Sequence, residues 1–208
     1  MAADVKLTPL GAMVLALLRE GDMHPYEMMR LLRQRRDDRM VKLTNGTFYH
    51  TVGRLEREGL IAEVGTDRDG NRPERTTYTL QPAASDVLEN WVRTGLARTD
   101  STPEFRVALA EAHNLPRAEV IDLVSSRRAA LAAESDTIGA ALAGAAERRV
   151  PHQFLIETDR HAALLRAELT WTDGFLESLA DASYAWGIDE IPAEHRAAKA
   201  AERKAARQ

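Results

Sequence analysis

The chain has 208 residues, 44% of them hydrophobic and none of them cysteine, and carries a formal net charge of −4. Without cysteine there is no disulfide framework, no thiolate zinc site and no thiol catalysis, and the composition fits a reducing, cytoplasmic location. The longest apolar run, residues 10–18, is nine residues long, too short to cross a bilayer, and Arg19-Glu20 follows where a leader peptide would need small residues.

Charge is spread unevenly. Residues 1–82 hold 13 Lys/Arg against 12 Asp/Glu, whereas residues 83–208 hold 15 against 20. Two halves of different character predict two domains, the first better disposed toward a polyanion.

Thr8-Pro9 is a helix start, with Thr as the cap and Pro at the first helical position, and the run through Leu10, Met13, Val14, Leu17 and Leu18 stops at Gly21. A second start at His24-Pro25 leads through Met28, Met29, Leu31 and Leu32, with Arg30, Arg33, Arg35 and Arg36 beside them. The stretch "KLTNGTFYHTVGRLEREGLI" then predicts a third helix over residues 44–58, capped by Thr44 and stopped by Gly59. Residues 60–64 and 76–80 are β-prone runs, and the Asp69-Gly70-Asn71 segment between them signals a hairpin. Pro82 opens another helix through Val87, Leu88, Trp91, Val92 and Leu96, and "RTDSTPE" reads as a linker.

The remainder reads as helical: a short helix over residues 105–115 closed by Pro116, then two long ones over about 117–148 and 151–186. The first long helix repeats Val124, Leu131 and Ile138 at sevenfold spacing, with Leu142 adjoining. The second carries Leu155, Ala162, Leu169 and Leu176, interleaved with Thr158, Leu165, Thr172 and Leu179. Narrow seams of this kind are typical of antiparallel hairpins or coiled-coil contacts. The tail "AEHRAAKAAERKAARQ" has almost no large apolar residue and predicts a frayed end.

Three helices followed by a two-stranded hairpin is the order of a winged helix-turn-helix, whose third helix usually reads the major groove. At 100° per residue, Phe48, Val52 and Leu55 fall within an arc of about 60°, a core face. Thr47, His50, Arg54 and Arg57 fall within roughly 80° on the opposite side. Hydroxyl, imidazole and guanidinium groups suit phosphate oxygens and base edges, and the amides of Asn45 and Gly46, in the first turn, can also meet a phosphate. A short amphipathic helix with two arginines on its wet side is commonplace. The hairpin changes the balance, because Arg68, Arg72 and Arg75 flank a turn whose basic character core packing does not explain.

The segments "LTPLGAMVLALL", "HPYEMMRLL", "LTNGTFYHTVGRLEREGLI" and "GNRPERTTYTLQPAA" together resemble the PadR family of bacterial transcriptional regulators. "PEFRVALAEAHNLP" and "HAALLRAELTW" resemble, more loosely, the larger C-terminal domain of its longer members. The resemblance implies a homodimer, joined through the C-terminal helices, whose wings and third helices grip a palindromic operator. It places Gly46, Thr47, Phe48 and Tyr49 on the family's Gly-Thr-aromatic-Tyr run, with Thr47 and Tyr49 approaching the DNA backbone, Tyr26 reaching a phosphate and Arg72 at the wing tip. Two departures stand out: Pro25 replaces the usual Gly before Tyr26, and Glu74 sits where Lys or Arg is commoner.

The expected fold is therefore mainly α with a small two-stranded wing. Residues 1–98 form a winged helix-turn-helix domain with its linking helix, 99–190 a helical dimerisation domain and 191–208 the tail. The DNA-contacting set is Tyr26, Lys42, Thr44, Asn45, Thr47, Tyr49, His50, Arg54, Arg72 and Arg75. The expected dimer seam is Leu155, Ala162, Leu165, Leu169 and Leu176, which the preceding helix should cover only in part. Family members often sense planar or phenolic compounds, so the resemblance implies a small aromatic effector near Trp91, His161 or Trp171, residues otherwise read as core and interface packing. The six His are scattered with no i, i+4 pair, and no HExxH, GxSxG or phosphate loop occurs, so no metal, cofactor or catalysis is expected. The rival reading is a winged-helix scaffold that binds protein instead of DNA.

Overall fold

The computed structural model describes residues 6–67, 75–187 and 190–206. Helix α1 (Pro9–Arg19) starts where the Thr8 side chain accepts from the Gly11 amide at 3.2 Å. It is buried on nearly every side, with Ala12 and Leu15 inside as well as Leu10, Met13, Val14, Leu17 and Leu18, because α3, α4 and α5 all pack on it. Helix α2 (Pro25–Gln34) turns Met28, Met29, Leu31 and Leu32 inward.

Helix α3 (Asn45–Arg57) opens with a reciprocal capping box. The Thr44 hydroxyl accepts from the Thr47 amide at 3.2 Å, and the Thr47 hydroxyl accepts from the Thr44 amide at 3.1 Å. Gly59, at φ +71°, ends the helix in the left-handed region, and the Leu60 amide returns to the Leu55 carbonyl at 2.9 Å.

Strands β1 (Ile61–Asp67) and β2 (Arg75–Leu80) pair antiparallel, from Ile61 opposite Leu80 to Asp67 opposite Arg75, with a register shift between Glu63 and Gly65. The sequence gives no sign of a third partner, yet Met23 bridges to Tyr78 through two hydrogen bonds of 3.1 and 3.0 Å. One residue is too short a strand to leave a pattern. The expected turn at Asp69-Gly70-Asn71 lies outside the described residues.

Helix α4 (Pro82–Leu96) leads to α5 (Pro103–Ala110), which starts two residues earlier than expected because Pro103 takes the first helical position and claims the end of the linker. Where α4 meets α5 the backbones nearly touch: a Cβ at Gly95 would lie 2.4 Å from that of Ala108. A short 3-10 turn then precedes α6 (Arg117–Glu147). Its partner, α7 (Ile156–Ala180), starts five residues later than expected, since Pro151 opens a 3-10 turn over His152–Phe154, and it stops before Trp186.

Helices α6 and α7 form an antiparallel hairpin, cross-linked by Arg128 to Asp173, Arg127 to Glu168 at 3.1 Å and His161 to Glu134 at 2.9 Å. This packing covers the expected seam in part: Ala162 and Leu165 are buried within the single chain, and Leu155, Leu169 and Leu176 are half-buried. Exposed apolar residues are Ile156, Leu164 and Trp171, roughly 160° around the helix from that stripe at 100° per residue, and Phe154 in the preceding 3-10 turn.

The tail does not fray over most of its length. Ala193–Ala206 form helix α8, packed on α2, with Ala206 fully buried. One buried cluster runs from Leu7 through Leu96 and on to Val124, Leu179 and Ala206.

Candidate nucleic-acid interface

The outward face of α3 is polar and open. Lys42, Thr44, Asn45, Thr47, Tyr49 and His50 are exposed, as is Tyr26 at the start of α2. Phe48, Val52 and Leu55 hold the opposite face in the core, which fixes which residues point outward. The start of α2 is tied to the wing, because a His24 ring nitrogen lies 2.9 Å from the Thr76 carbonyl oxygen. Pro25 in place of Gly therefore begins an ordinary helix.

Two members of the expected set are less free than the helical wheel implies. The Thr47 hydroxyl donates to the Thr44 carbonyl at 3.0 Å and accepts from the Thr44 amide, so both of its roles are already used in the cap. Arg54 is only half-exposed: its Nη2 donates to the Thr8 hydroxyl at 3.0 Å, and its buried Nε has no hydrogen-bond partner. Arg54 is thus partly a structural tie between α3 and α1. Arg72 lies outside the described residues, and the Arg75 side chain does too, although its backbone opens β2.

The spacing pattern misses two contributors. A shallow cleft of about 410 Å³ is lined by Thr8, Gly46, Thr47, His50, Thr51 and Arg54, which brings the N-terminus of α1 beside that of α3. Thr8 carries no signal for this beyond its role as a cap. Arg33 of α2 reaches Asn45, its Nη2 donating to Oδ1 at 3.5 Å. The first amides of α3, at Asn45 and Gly46, precede the first intrahelical bonds and face outward, an arrangement that suits an anionic oxygen.

The three aromatic candidates do not share a site. Trp91 donates from Nε1 to the Leu7 carbonyl at 3.0 Å and packs against the core. Trp171 is 45% exposed and stacks on Phe175 with centroids 5.3 Å apart. His161 lines a separate cavity of about 610 Å³ with Leu131, Glu134, Leu164, Leu165 and Glu168. Among the described residues, no group of three or more His, Asp or Glu is placed to hold a metal ion, and no helix is long and apolar enough to cross a membrane.

A helix-turn-helix with an exposed polar third helix and a two-stranded wing defines a winged helix-turn-helix protein. Residues 14–90 match the model of the transcriptional regulator PadR-like family, so this part of the chain is similar to that family. Bacillus subtilis PadR in complex with operator DNA is 19% identical, over 83% of this chain and 99% of that one, with a TM-score of 0.39. Bacillus subtilis PadR in complex with p-coumaric acid is 18% identical, over 84% and 100%, with a TM-score of 0.35. A transcriptional regulator from Clostridium thermocellum is 26% identical, over 38% of this chain and 75% of that one, with a TM-score of 0.34. No curated protein matches. The assignment of the site rests on its own residues and on the family match.

Proposed function

We propose that the chain is a repressor that binds a palindromic operator as a homodimer and is released by a small molecule. The observation that carries this reading is the exposed face of α3, where Asn45, Tyr49 and His50 stand clear of the core beside outward-facing amides. Residues 1–98 are the DNA-binding unit in this proposal, with Lys42, Thr44, Thr47, Arg54 and Tyr26 beside them and the wing residues Arg72 and Arg75 completing the grip. Each head reads one half-site, and two-fold symmetry supplies the second about one helical turn away.

Residues 99–190 supply the dimer contact. The outward face of α7, with Ile156, Leu164 and Trp171, together with Phe154 of the preceding turn, is the apolar surface that favours it. Release belongs to the cavity beside His161, whose apolar floor of Leu131, Leu164 and Leu165 fits a planar apolar molecule. The family consists of transcription regulators, and no catalytic role is assigned.

Binding of purified protein to the palindromic DNA upstream of its own gene, followed through a salt titration, tests the reading. Affinity should fall steeply with added salt, as phosphate contacts release counterions. Binding that is absent, or indifferent to salt, would favour a protein-binding scaffold.

A further inference from the structure

We propose that α8 is a salt-releasable strap that clamps the winged-helix head to the base of the α6–α7 hairpin. The segment leading into α8 is firmly anchored at that base. Arg117, at the start of α6, donates to the carbonyls of Leu179 at 3.1 Å, Asp181 at 2.9 Å and Tyr184, and meets the Glu190 carboxylate at 3.3 Å. Trp186 adds a hydrogen bond from its indole Nε1 to the Leu115 carbonyl at 3.0 Å. Beyond this anchor α8 packs on α2 and reaches Glu20, just past the end of α1.

What holds it there is charge. Its side chains are Ala, Glu, His, Arg and Lys, and Ala206 is its only fully buried residue. Lys199 pairs with Glu20 at 3.2 Å, Glu202 pairs with Arg35 at 3.0 Å, and Arg203 donates to the Glu20 carbonyl. Arg35 also grips Glu20 through two hydrogen bonds of 2.7 and 2.9 Å, which makes Glu20 the hub of the clamp. Burial alone would raise the Glu20 pKa, but Arg35 and Lys199 outweigh it and pull the group below the usual carboxylate range.

Two features make the clamp weak enough to open. The side chains of Lys199, Glu202 and Glu20 are 33%, 33% and 21% exposed, so solvent ions reach every pair. The strap also roofs a cavity of about 440 Å³ between Arg196, Lys199 and Arg203 on its own side and Met13, Leu17 and Glu111 on the other. Lifting it therefore uncovers little close-packed apolar surface. Once it is free, the head keeps its connection through α4 and α5 but loses the second tie to the hairpin.

Hydrogen exchange on the full chain, without DNA, tests the strap independently of operator binding. Amides of residues 193–206 should exchange roughly tenfold faster in about 1 M salt than in about 0.05 M, as expected from screening of a few half-exposed ion pairs. A Lys199→Ala/Glu202→Gln protein should show the same loss at low salt, while α1 and α3 keep their protection. Both substitutions lie on α8 itself, so they leave the core of the head intact. Protection of α8 that ignores salt and both substitutions, or a head that loosens in step with it, would overturn the proposal.

Discussion

Arg54 of α3 and Thr8, 46 residues earlier, are joined by a 3.0 Å hydrogen bond from Nη2 to the threonine hydroxyl. The same hydroxyl caps α1 by accepting from the Gly11 amide. One oxygen atom thus fixes the start of the first helix and the inclination of the third.

Arg54 and His50 should therefore behave differently. Arg54→Ala should lower both operator affinity and stability, the latter by about 1–2 kcal/mol, because a charged donor and its acceptor are separated. His50→Ala should leave the urea midpoint unchanged and cost about 1–3 kcal/mol of binding where the imidazole reads a base edge. Equal stability losses in the two proteins would show that the Thr8 contact contributes nothing particular.

Glu111 predicts a pH dependence. Burial pushes its carboxyl up to about 7, with Asp37 and Glu20 adding repulsion, while the Asn114 amide and Lys199 pull the other way. The folded chain holds this proton more tightly than the unfolded chain, whose value is near 4.5. This contribution to stability is complete below that value and is lost as pH rises through about 7. Urea unfolding at a series of pH values should show stability falling across that window in the native protein and a flatter profile in Glu111→Gln. Parallel profiles would contradict the assignment.

On α7, neighbouring leucines should give opposite phenotypes. Leu164 is half-exposed on the outward face, so Leu164→Asp should yield a folded monomer with weak operator binding. Leu165 is 6% exposed within the hairpin, so Leu165→Ala should cost about 2–4 kcal/mol of stability instead. Sedimentation and thermal unfolding of the pair decide the matter, and a Leu164→Asp dimer would move the two-fold contact elsewhere.

Arg127 is a charge in an awkward place. Its side chain is 1% exposed and sits 3.9 Å from the Phe105 ring centroid, with Nε and Nη1 unpartnered and Glu168 as its ion pair. Burial lowers its pKa, opposed by Glu168. Arg127→Met should be neutral or stabilising by about 1 kcal/mol or more, because a buried charge is replaced by a chain of similar volume. Glu168→Ala should be destabilising, since it removes the ion-pair partner of a buried guanidinium. A large stability loss in Arg127→Met would show that the charge is structurally required.

Local grammar was legible in the sequence wherever one residue decides one helix end. Thr8-Pro9 opens α1, Thr44 caps α3 and Gly59 stops it, all within a few residues of their effect. The core face of α3 followed from spacing alone. Contacts between distant residues left no such trace: Trp91 to Leu7 spans 84 residues, and Lys199 to Glu20 spans 179. Composition marked the tail as frayed, yet Glu20 and Arg35, at the ends of α1 and α2, give it a seat. On α7, spacing identified the apolar stripes but could not say which one the neighbouring helix would cover. Pro151 misled the reading of that helix's start, because a proline can open a 3-10 turn as well as an α-helix.

The crossing of α4 and α5 has a mechanical consequence. With only 2.4 Å between a would-be Cβ at Gly95 and the methyl of Ala108, the joint has no play. In a dimer held through α7, such a joint works like the rivet of a pair of calipers: a small rotation at the handles becomes a wider or narrower gap at the tips. A bulkier residue at position 95 would wedge the rivet, leaving both tips intact but set to the wrong span.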